Sequence, residues 1–325
     1  MARVPGGCGM IACENLTCFY GSFLAVDRLT LEIPRGCVCA LVGPNGAGKT
    51  TTMRMLCTLL PPSRGKAAIG GFDVVREPTQ VRRLIGYLPE EFRLYDDMTV
   101  ERYLEFFGRI YGLDSAMRHE RAMDFLERLG LSGRRKDRIG ALSRGMKQRL
   151  GVAKSFLHDP EVVFLDEPAS GLDPVARAEL RDFLKHQQWL GKTVVVSSHV
   201  LKELADFCDF LAMINHGRLS EIGPLTGENG VLARHSETAT GGRLYTLKVL
   251  RDAPKLELVL QKEAGVSNIR RRDQIVSFEL LGDEEAAGRL LGRLTSAGFP
   301  IVRFVPEEAD LESVYRKVSR AEERR

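Results

Sequence analysis

The chain has 325 residues, 44% hydrophobic and 28% charged, with a net charge of +4 from 47 basic and 43 acidic side chains. That length suits roughly two domains with useful cores, and so small a charge excess gives no argument for nucleic acid as a main partner, so none is expected. Seven cysteines, an odd number without a C-x-x-C pair, suit a reducing, cytosolic setting better than a disulfide scaffold or a zinc site.

Residues 1–10 read as a loose leader. Asn15 to Ile33 reads as strands joined by a turn at Tyr20-Gly21-Ser22, and Cys37 to Val42 as a short buried strand. Next comes Gly43-Pro44-Asn45-Gly46-Ala47-Gly48-Lys49-Thr50-Thr51, which fits Gly, four residues, Gly, Lys, then Ser or Thr. Thr52 to Leu60 behind it reads as a helix stopped by Pro61-Pro62, so the run has the strand–loop–helix context its chemistry needs. Glycines let backbone N–H groups converge on an anion, and the helix N-terminus adds partial positive charge. Lys49 is expected on the β- and γ-phosphates of a nucleotide triphosphate, and the Thr50 hydroxyl on Mg²⁺.

Ala67-Ala68-Ile69 and Gly70-Gly71 suggest a further strand and turn. From Thr99 to Gly151 the pattern turns helical. Tyr103, Phe106, Phe107, Ile110 and Tyr111 recur at three and four, as on one buried helix face, and Phe125, Leu126 and Leu129 do the same. Val162 to Leu165 and Thr193 to Val196 suit a parallel sheet buried on both faces. The first of these runs ends in Asp166-Glu167. Asp166 is expected to hold Mg²⁺ through water, and Glu167 to polarise the attacking water.

Composition changes after Gly223, and residues 226–242 read as a linker rich in Gly, Thr, Ser and Glu. Beyond it stand a strand (Tyr245, Leu247 and Val249 on one face), a helix (Pro254 to Ala264), and a strand pair around Ile269 and Ile275 to Leu281. A helix capped by Asp283 follows, with Ala287, Leu290, Leu291 and Leu294 inward. A strand (Ile301 to Val305) and a helix through Leu311, Val314 and Tyr315 finish the series. The order β-α-β-β-α-β is the ferredoxin-like split arrangement. The expected architecture is therefore α/β: a nucleotide-binding domain at 11–225, with a mixed β-sheet core and an α-helical subdomain at about 95–160, then a small α+β domain at 243–325. No stretch reaches the ~18 apolar residues of a spanning helix and no secretory leader opens the chain, so work at a membrane is expected of a peripheral subunit.

Five shorter features join the phosphate loop and Asp166-Glu167. Leu142-Ser143-Arg144-Gly145-Met146 resembles a Leu-Ser-Gly-Gly-Gln signature, and Ser170-Gly171-Leu172-Asp173 a D-loop. His199, after Val194-Val195-Val196-Ser197-Ser198, resembles a switch histidine. Tyr20 resembles an adenine-stacking aromatic. Gly86-Tyr87-Leu88-Pro89 aligns Glu90 with a coupling Gln, with Glu91 as the rival register. In this order, over residues 11 to about 223, the set resembles the P-loop ATPase subunit of an ABC transporter, of the kind serving type-2 exporters.

The resemblance implies two copies, identical or related, packed head to tail. ATP and Mg²⁺ would lie between the phosphate loop of one copy and Ser143 and Gly145 of the other. Asp173 would couple the two sites, His199 would contact the γ-phosphate, and Glu90 would ligate Mg²⁺ and carry the coupling. It implies a separate integral-membrane permease gripped near Leu94 to Tyr111, placement on the cytoplasmic face of the membrane, and export. Glu90, Arg144 and Met146 depart from the family pattern in ways that bear on turnover, not on nucleotide binding. A soluble ABC ATPase acting on ribosomes or DNA, or a regulatory ATP-binding module, are the other readings; one phosphate loop and the presence of Lys49, Asp166, Glu167 and His199 weigh against them. The small domain would regulate, sense a ligand or dimerise, a dimer brace being the simplest.

Overall fold

The computed structural model describes residues 9–198, 204–227, 230–236, 242–306 and 310–323. The chain divides between Leu225 and Thr226, the second unit running to Lys317.

In the first unit the opening strands are β1 (Ile11–Tyr20) and β2 (Phe23–Ile33), a hairpin turned at Gly21 with φ +60°. Of the expected leader, Met10 belongs to the fold, and residues 1–8 lie outside the described residues. Met10 is 1% exposed, and its N–H donates to the Ile33 carbonyl at 2.8 Å, because β2 is long enough to pair with it. β1 also begins before Asn15, which takes a left-handed φ of +49° where the β1–β2 register slips between Cys13 and Leu16. An irregularity of that kind bends the strand and interrupts the alternation that marks it in sequence. β4 (Arg64–Ile69) and β5 (Phe72–Asp73) complete an antiparallel sheet in the order β2-β1-β4-β5.

The second sheet starts with β3 (Val38–Val42), buried at every residue. Helix α1 (Lys49–Leu56) follows and ends four residues before the expected Leu60. Thr58 turns left-handed at φ +59°, and the N–H groups of Leu59 and Leu60 fold back onto the Arg54 carbonyl at 2.9 and 3.2 Å. That satisfies the carbonyls a helix end leaves open. Helix α2 (Pro78–Leu84) leads into β6 (Ile85–Leu88). A helical lobe follows: α3 (Val100–Ile110), α4 (Ser115–Arg128) and α5 (Arg144–Phe156), capped in turn by the side chains of Thr99, Asp114 and Ser143. Then come β7 (Val162–Asp166), α6 (Pro174–Trp189), β8 (Thr193–Ser198), β9 (Phe210–Asn215) and β10 (Arg218–Pro224). The sheet order is β10-β9-β3-β8-β7-β6, parallel except where β10 pairs with β9, which makes it mixed as expected.

One aromatic expectation is corrected. Tyr103 and Leu104 on α3 are buried, but Phe106, Ile110 and Tyr111 are exposed, Ile110 at 61%. The apolar stripe on α3 is wider than the part that α4 and α5 cover.

In the second unit the expected linker holds a short helix, α7 (Val231–Ser236), with Val231 buried and Arg234 in its last turn, where a cation suits the helix dipole. Residues 228–229 and 237–241 of that stretch lie outside the described residues. Strand β11 (Gly242–Val249) is followed by α8 (Ala253–Leu260), which stops short of Ala264. The N–H groups of Lys262 and Glu263 turn back to the Val259 and Leu260 carbonyls at 3.0 and 3.2 Å and end it. Strands β12 (Val266–Arg272) and β13 (Ile275–Leu281), helix α9 (Glu284–Ser296), strand β14 (Ile301–Pro306) and helix α10 (Leu311–Glu323) complete the series. The sheet order β12-β13-β11-β14, all antiparallel, is the ferredoxin-like pattern. Tyr245, Leu247, Val249, Val276 and Phe278 form its core with Leu256, Leu290 and Leu294 of the helices. Asp283 caps α9, its Oδ1 accepting the Ala286 N–H at 3.0 Å. Asp283→Ala is expected to cost about 1 kcal/mol, the usual worth of such a cap, read as a lower urea midpoint of this unit's unfolding.

Candidate functional site

The C-terminal ends of β3, β7 and β8 lie side by side, with Val42 opposite Ser198 and Asp166 opposite Ser197. Ligands of open α/β sheets gather at such strand ends. Gly43 must be glycine here because any Cβ would overlap the Ile214 carbonyl of β9. Gly48 takes φ +101°, which lets the loop turn its N–H groups inward before α1 begins. The turn between β9 and β10 props the loop from behind, the Gly217 N–H donating to the Ala47 carbonyl at 3.0 Å.

A cavity of about 450 Å³ opens at this point. Asn45, Gly46, Ala47, Gly48, Lys49, Thr50 and Thr51 line it together with Tyr20, Glu90, Asp166 and Glu167. Residues from the phosphate loop, from β7, and from the segment after β6 are thus brought to one place. Glu90 lines this cavity and the neighbouring one, and Glu91 lines the neighbouring one. Gly43 and Pro44 do not line it. Their carbonyls instead accept the Lys49 ammonium at 2.7 and 3.1 Å. Lys49 is 8% exposed, and burial lowers its pKa, while the negative charges of Glu167, Asp166 and Glu90 push it back up.

The Thr50 hydroxyl donates to Asp166 Oδ2 at 2.8 Å, tying α1 to the end of β7. The other carboxylate oxygen accepts the Ser197 hydroxyl. Ser197 Oγ in turn accepts the Glu167 N–H at 3.0 Å, and Gln148 of α5 donates to the Glu167 carbonyl at 3.3 Å. Glu167 holds φ +51°, an uncommon backbone for a non-glycine residue, over-determined here by those two bonds. Ser197 and Gln148 escape a reading of the sequence because a serine ending a β-branched run, and a glutamine inside a helix, carry no signal of their own. Phe23, exposed beside Tyr20 and lining the same cavity, is a second aromatic the sequence reading passes over.

Three expected residues lie away from the cavity. Ser143 caps α5 and is exposed, its Oγ accepting the Met146 N–H at 3.3 Å. Asp173 caps α6 in the same way, accepting the Ala176 N–H at 2.9 Å. Gly145 packs on Gly171 and Leu172, where an added Cβ would lie 3.3 Å from the Leu172 side chain. The signature stretch and the D-loop stretch are therefore packed on each other in one chain. His199 lies outside the described residues.

The ABC transporter family model matches residues 26–170. The ABC transporter ATP-binding protein YxlF of Bacillus subtilis is 36% identical over 312 residues, 96% of this chain and 100% of that protein. The daunorubicin/doxorubicin resistance ATP-binding protein DrrA of Streptomyces peucetius is 33% identical over 308 residues, 94% of this chain and 91% of its own. A dimeric ATP-binding cassette solved in a post-hydrolysis state with ADP and phosphate superposes with a TM-score of 0.61 at 25% identity, covering 67% of this chain and 100% of that one. Among the described residues no helix is long and apolar enough to cross a membrane. The chain belongs to the ABC transporter family, as an ATP-binding subunit that hydrolyses ATP.

Proposed function

We propose that two copies of this chain, or one copy and a related subunit, close around ATP and Mg²⁺ and drive a separate type-2 permease from the cytoplasmic face of the membrane, in the direction of export. The observation that carries this reading is the convergence of Lys49, Thr50, Glu90, Asp166 and Glu167 on one cavity. Relatives that span nearly the whole chain are transporter subunits, one of them named for drug resistance, and this disfavours a ribosome- or DNA-directed ATPase.

Three carboxylates and a hydroxyl against one ammonium form the oxygen-donor set that Mg²⁺ prefers, and the Thr50–Asp166 contact draws two of those donors together. Thr50 and Asp166 would hold the ion, with Glu90 as a third donor; once bound, it supplies charge neutralisation on the transferring phosphoryl group. Lys49 releases the Gly43 and Pro44 carbonyls to take phosphate oxygens. The Glu167 carboxylate orients and deprotonates the water, whose oxygen attacks the γ-phosphorus as the bond to ADP breaks. Tyr20, 44% exposed at the cavity mouth, offers its ring face to adenine. Ser143 and Gly145, at the start of α5, face the partner's γ-phosphate; Asp173 couples the two sites, and His199 contacts the γ-phosphate. Removing Mg²⁺ with EDTA is expected to abolish turnover, measured as phosphate release, while equilibrium dialysis still detects bound ATP.

The exposed side of α3 is the permease contact. Tyr95 packs beside Phe106 and Phe107, with ring centroids at 5.9 and 6.3 Å, and Ile110 and Tyr111 continue the apolar patch. Ile110→Asp is expected to leave ATP turnover of the isolated chain unchanged, since α3 lines no part of the cavity. Co-purification with its membrane partner should fall by roughly tenfold or more, the loss that one poorly placed interface charge produces. Undiminished co-purification would count against this face.

A further inference from the structure

The four strands of the second unit carry helices α8 and α9 on one face, the face of Tyr245, Leu247, Val276 and Phe278. Register places a different set on the other. Arg272 stands opposite Ile275, Ile275 opposite Lys248, and Lys248 opposite Arg303, one row crossing β12, β13, β11 and β14. At a strand spacing of about 4.8 Å this row spans about 14 Å. Arg270 belongs to the next row, opposite Ser277 and Thr246, whose hydroxyl oxygens lie 3.2 Å apart.

All four cations are exposed, and among the described residues none has a carboxylate partner. Arg271, which points to the helical face, does have one: it pairs with Glu257 of α8 at 2.8 Å. Among the described residues the acid on the same side of the strands is Glu279, two rows away, buried and accepting Asn268 Nδ2 at 2.6 Å; Asp273 sits beyond the row, in the turn between β12 and β13. Lys248 and Arg303 are direct cross-strand neighbours, and like charges so placed destabilise a sheet. A fold that needed only a solvated surface would gain by placing one acid there. A multiply charged anion relieves the repulsion and meets guanidinium groups suited to phosphate.

We infer that this face binds a polyvalent phosphate group, with Lys248, Arg272 and Arg303 as its charge partners, Arg270 beside them, and the Thr246 and Ser277 hydroxyls as neighbouring hydrogen-bonding groups. The group is carried by a free phosphorylated small molecule or by a lipid headgroup; both offer the same clustered oxygens. Single-stranded nucleic acid is the wrong class: no residue in these rows is aromatic, so bases have no ring to stack on. A second copy docking face to face is equally wrong, because the symmetric contact sets cations against cations.

The test uses the full chain with its phosphate loop saturated with ADP, and compares it with the double variant Lys248→Gln/Arg303→Gln. Titration with pyrophosphate is expected to show one further saturable site. In the double variant it should weaken by roughly tenfold or more, on the scale of one lost charge-assisted hydrogen bond. If pyrophosphate does not bind but phosphatidylcholine vesicles containing phosphatidic acid, whose phosphomonoester is multiply charged, sediment the protein, pure phosphatidylcholine does not, and the variant is released, the headgroup is the source. Binding of neither probe overturns the inference, as does binding that the variant retains. Retention of only a single-stranded oligonucleotide, lost in the variant, overturns it too. The variant removes a like-charge pair, so its melting temperature should hold or rise, which separates lost binding from unfolding. Its ATP turnover should be unchanged, because the cavity lies in the other unit.

Discussion

Glu167→Gln is expected to bind ATP as the unaltered chain does, to lose roughly 10²–10⁴-fold in turnover, and to accumulate as an ATP-bound pair. Glutamine keeps the shape of the side chain, so the φ of +51° and the bonds to Ser197 and Gln148 are undisturbed. What disappears is the negative charge that the proposed mechanism uses to polarise water. A ligand that binds only the closed pair stabilises that pair, and without cleavage the stabilisation persists. Light scattering in ATP and Mg²⁺ should give twice the monomer mass for the variant and a return to monomer in ADP. A variant that stays monomeric in ATP would overturn the head-to-tail closure.

Lys49→Ala is expected to weaken ATP binding by about tenfold to a hundredfold, since one or two charge-assisted hydrogen bonds are worth about 1.5–3 kcal/mol. Without nucleotide the ammonium is held by the Gly43 and Pro44 carbonyls in a setting that burial makes unfavourable for charge. Phosphate therefore competes against two protein contacts, and the net loss is smaller than a bare ion pair would suggest. Fluorescence titration with a labelled ATP gives the affinity, and the nucleotide-free melting temperature controls for the fold. Unaltered affinity would remove Lys49 from the phosphate.

Much of the site is legible in sequence because its parts are consecutive. A phosphate loop is nine residues in a row, and the acids ending β7 follow directly on an apolar run. Aligning Pro89 and the strand before it points to Glu90, with Glu91 one residue on as the rival register. The remainder depends on partners distant in the chain. Nothing around Ser197 tells that its hydroxyl meets Asp166, and nothing in Asn15 shows the slipped register it occupies. Periodicity on α3 marks an apolar stripe but not how much of it α4 and α5 cover, which is why Phe106 and Ile110 read as core and stand exposed. In the second unit the element order suffices for the topology, since β-α-β-β-α-β has one common antiparallel solution. The charged row of the open face emerges only when the strands are set in register.

One hydroxyl buried behind the cavity wall has a wider meaning. Ser197 spends its single proton on Asp166 and uses a lone pair for the Glu167 amide. Two neighbouring acids with separate duties are thereby fastened to the tip of a different strand, the one whose continuation carries His199. A tilt of that tip would reach the Asp166 carboxylate and the Glu167 backbone together, so under the proposed mechanism metal grip and water orientation would shift as a single adjustment.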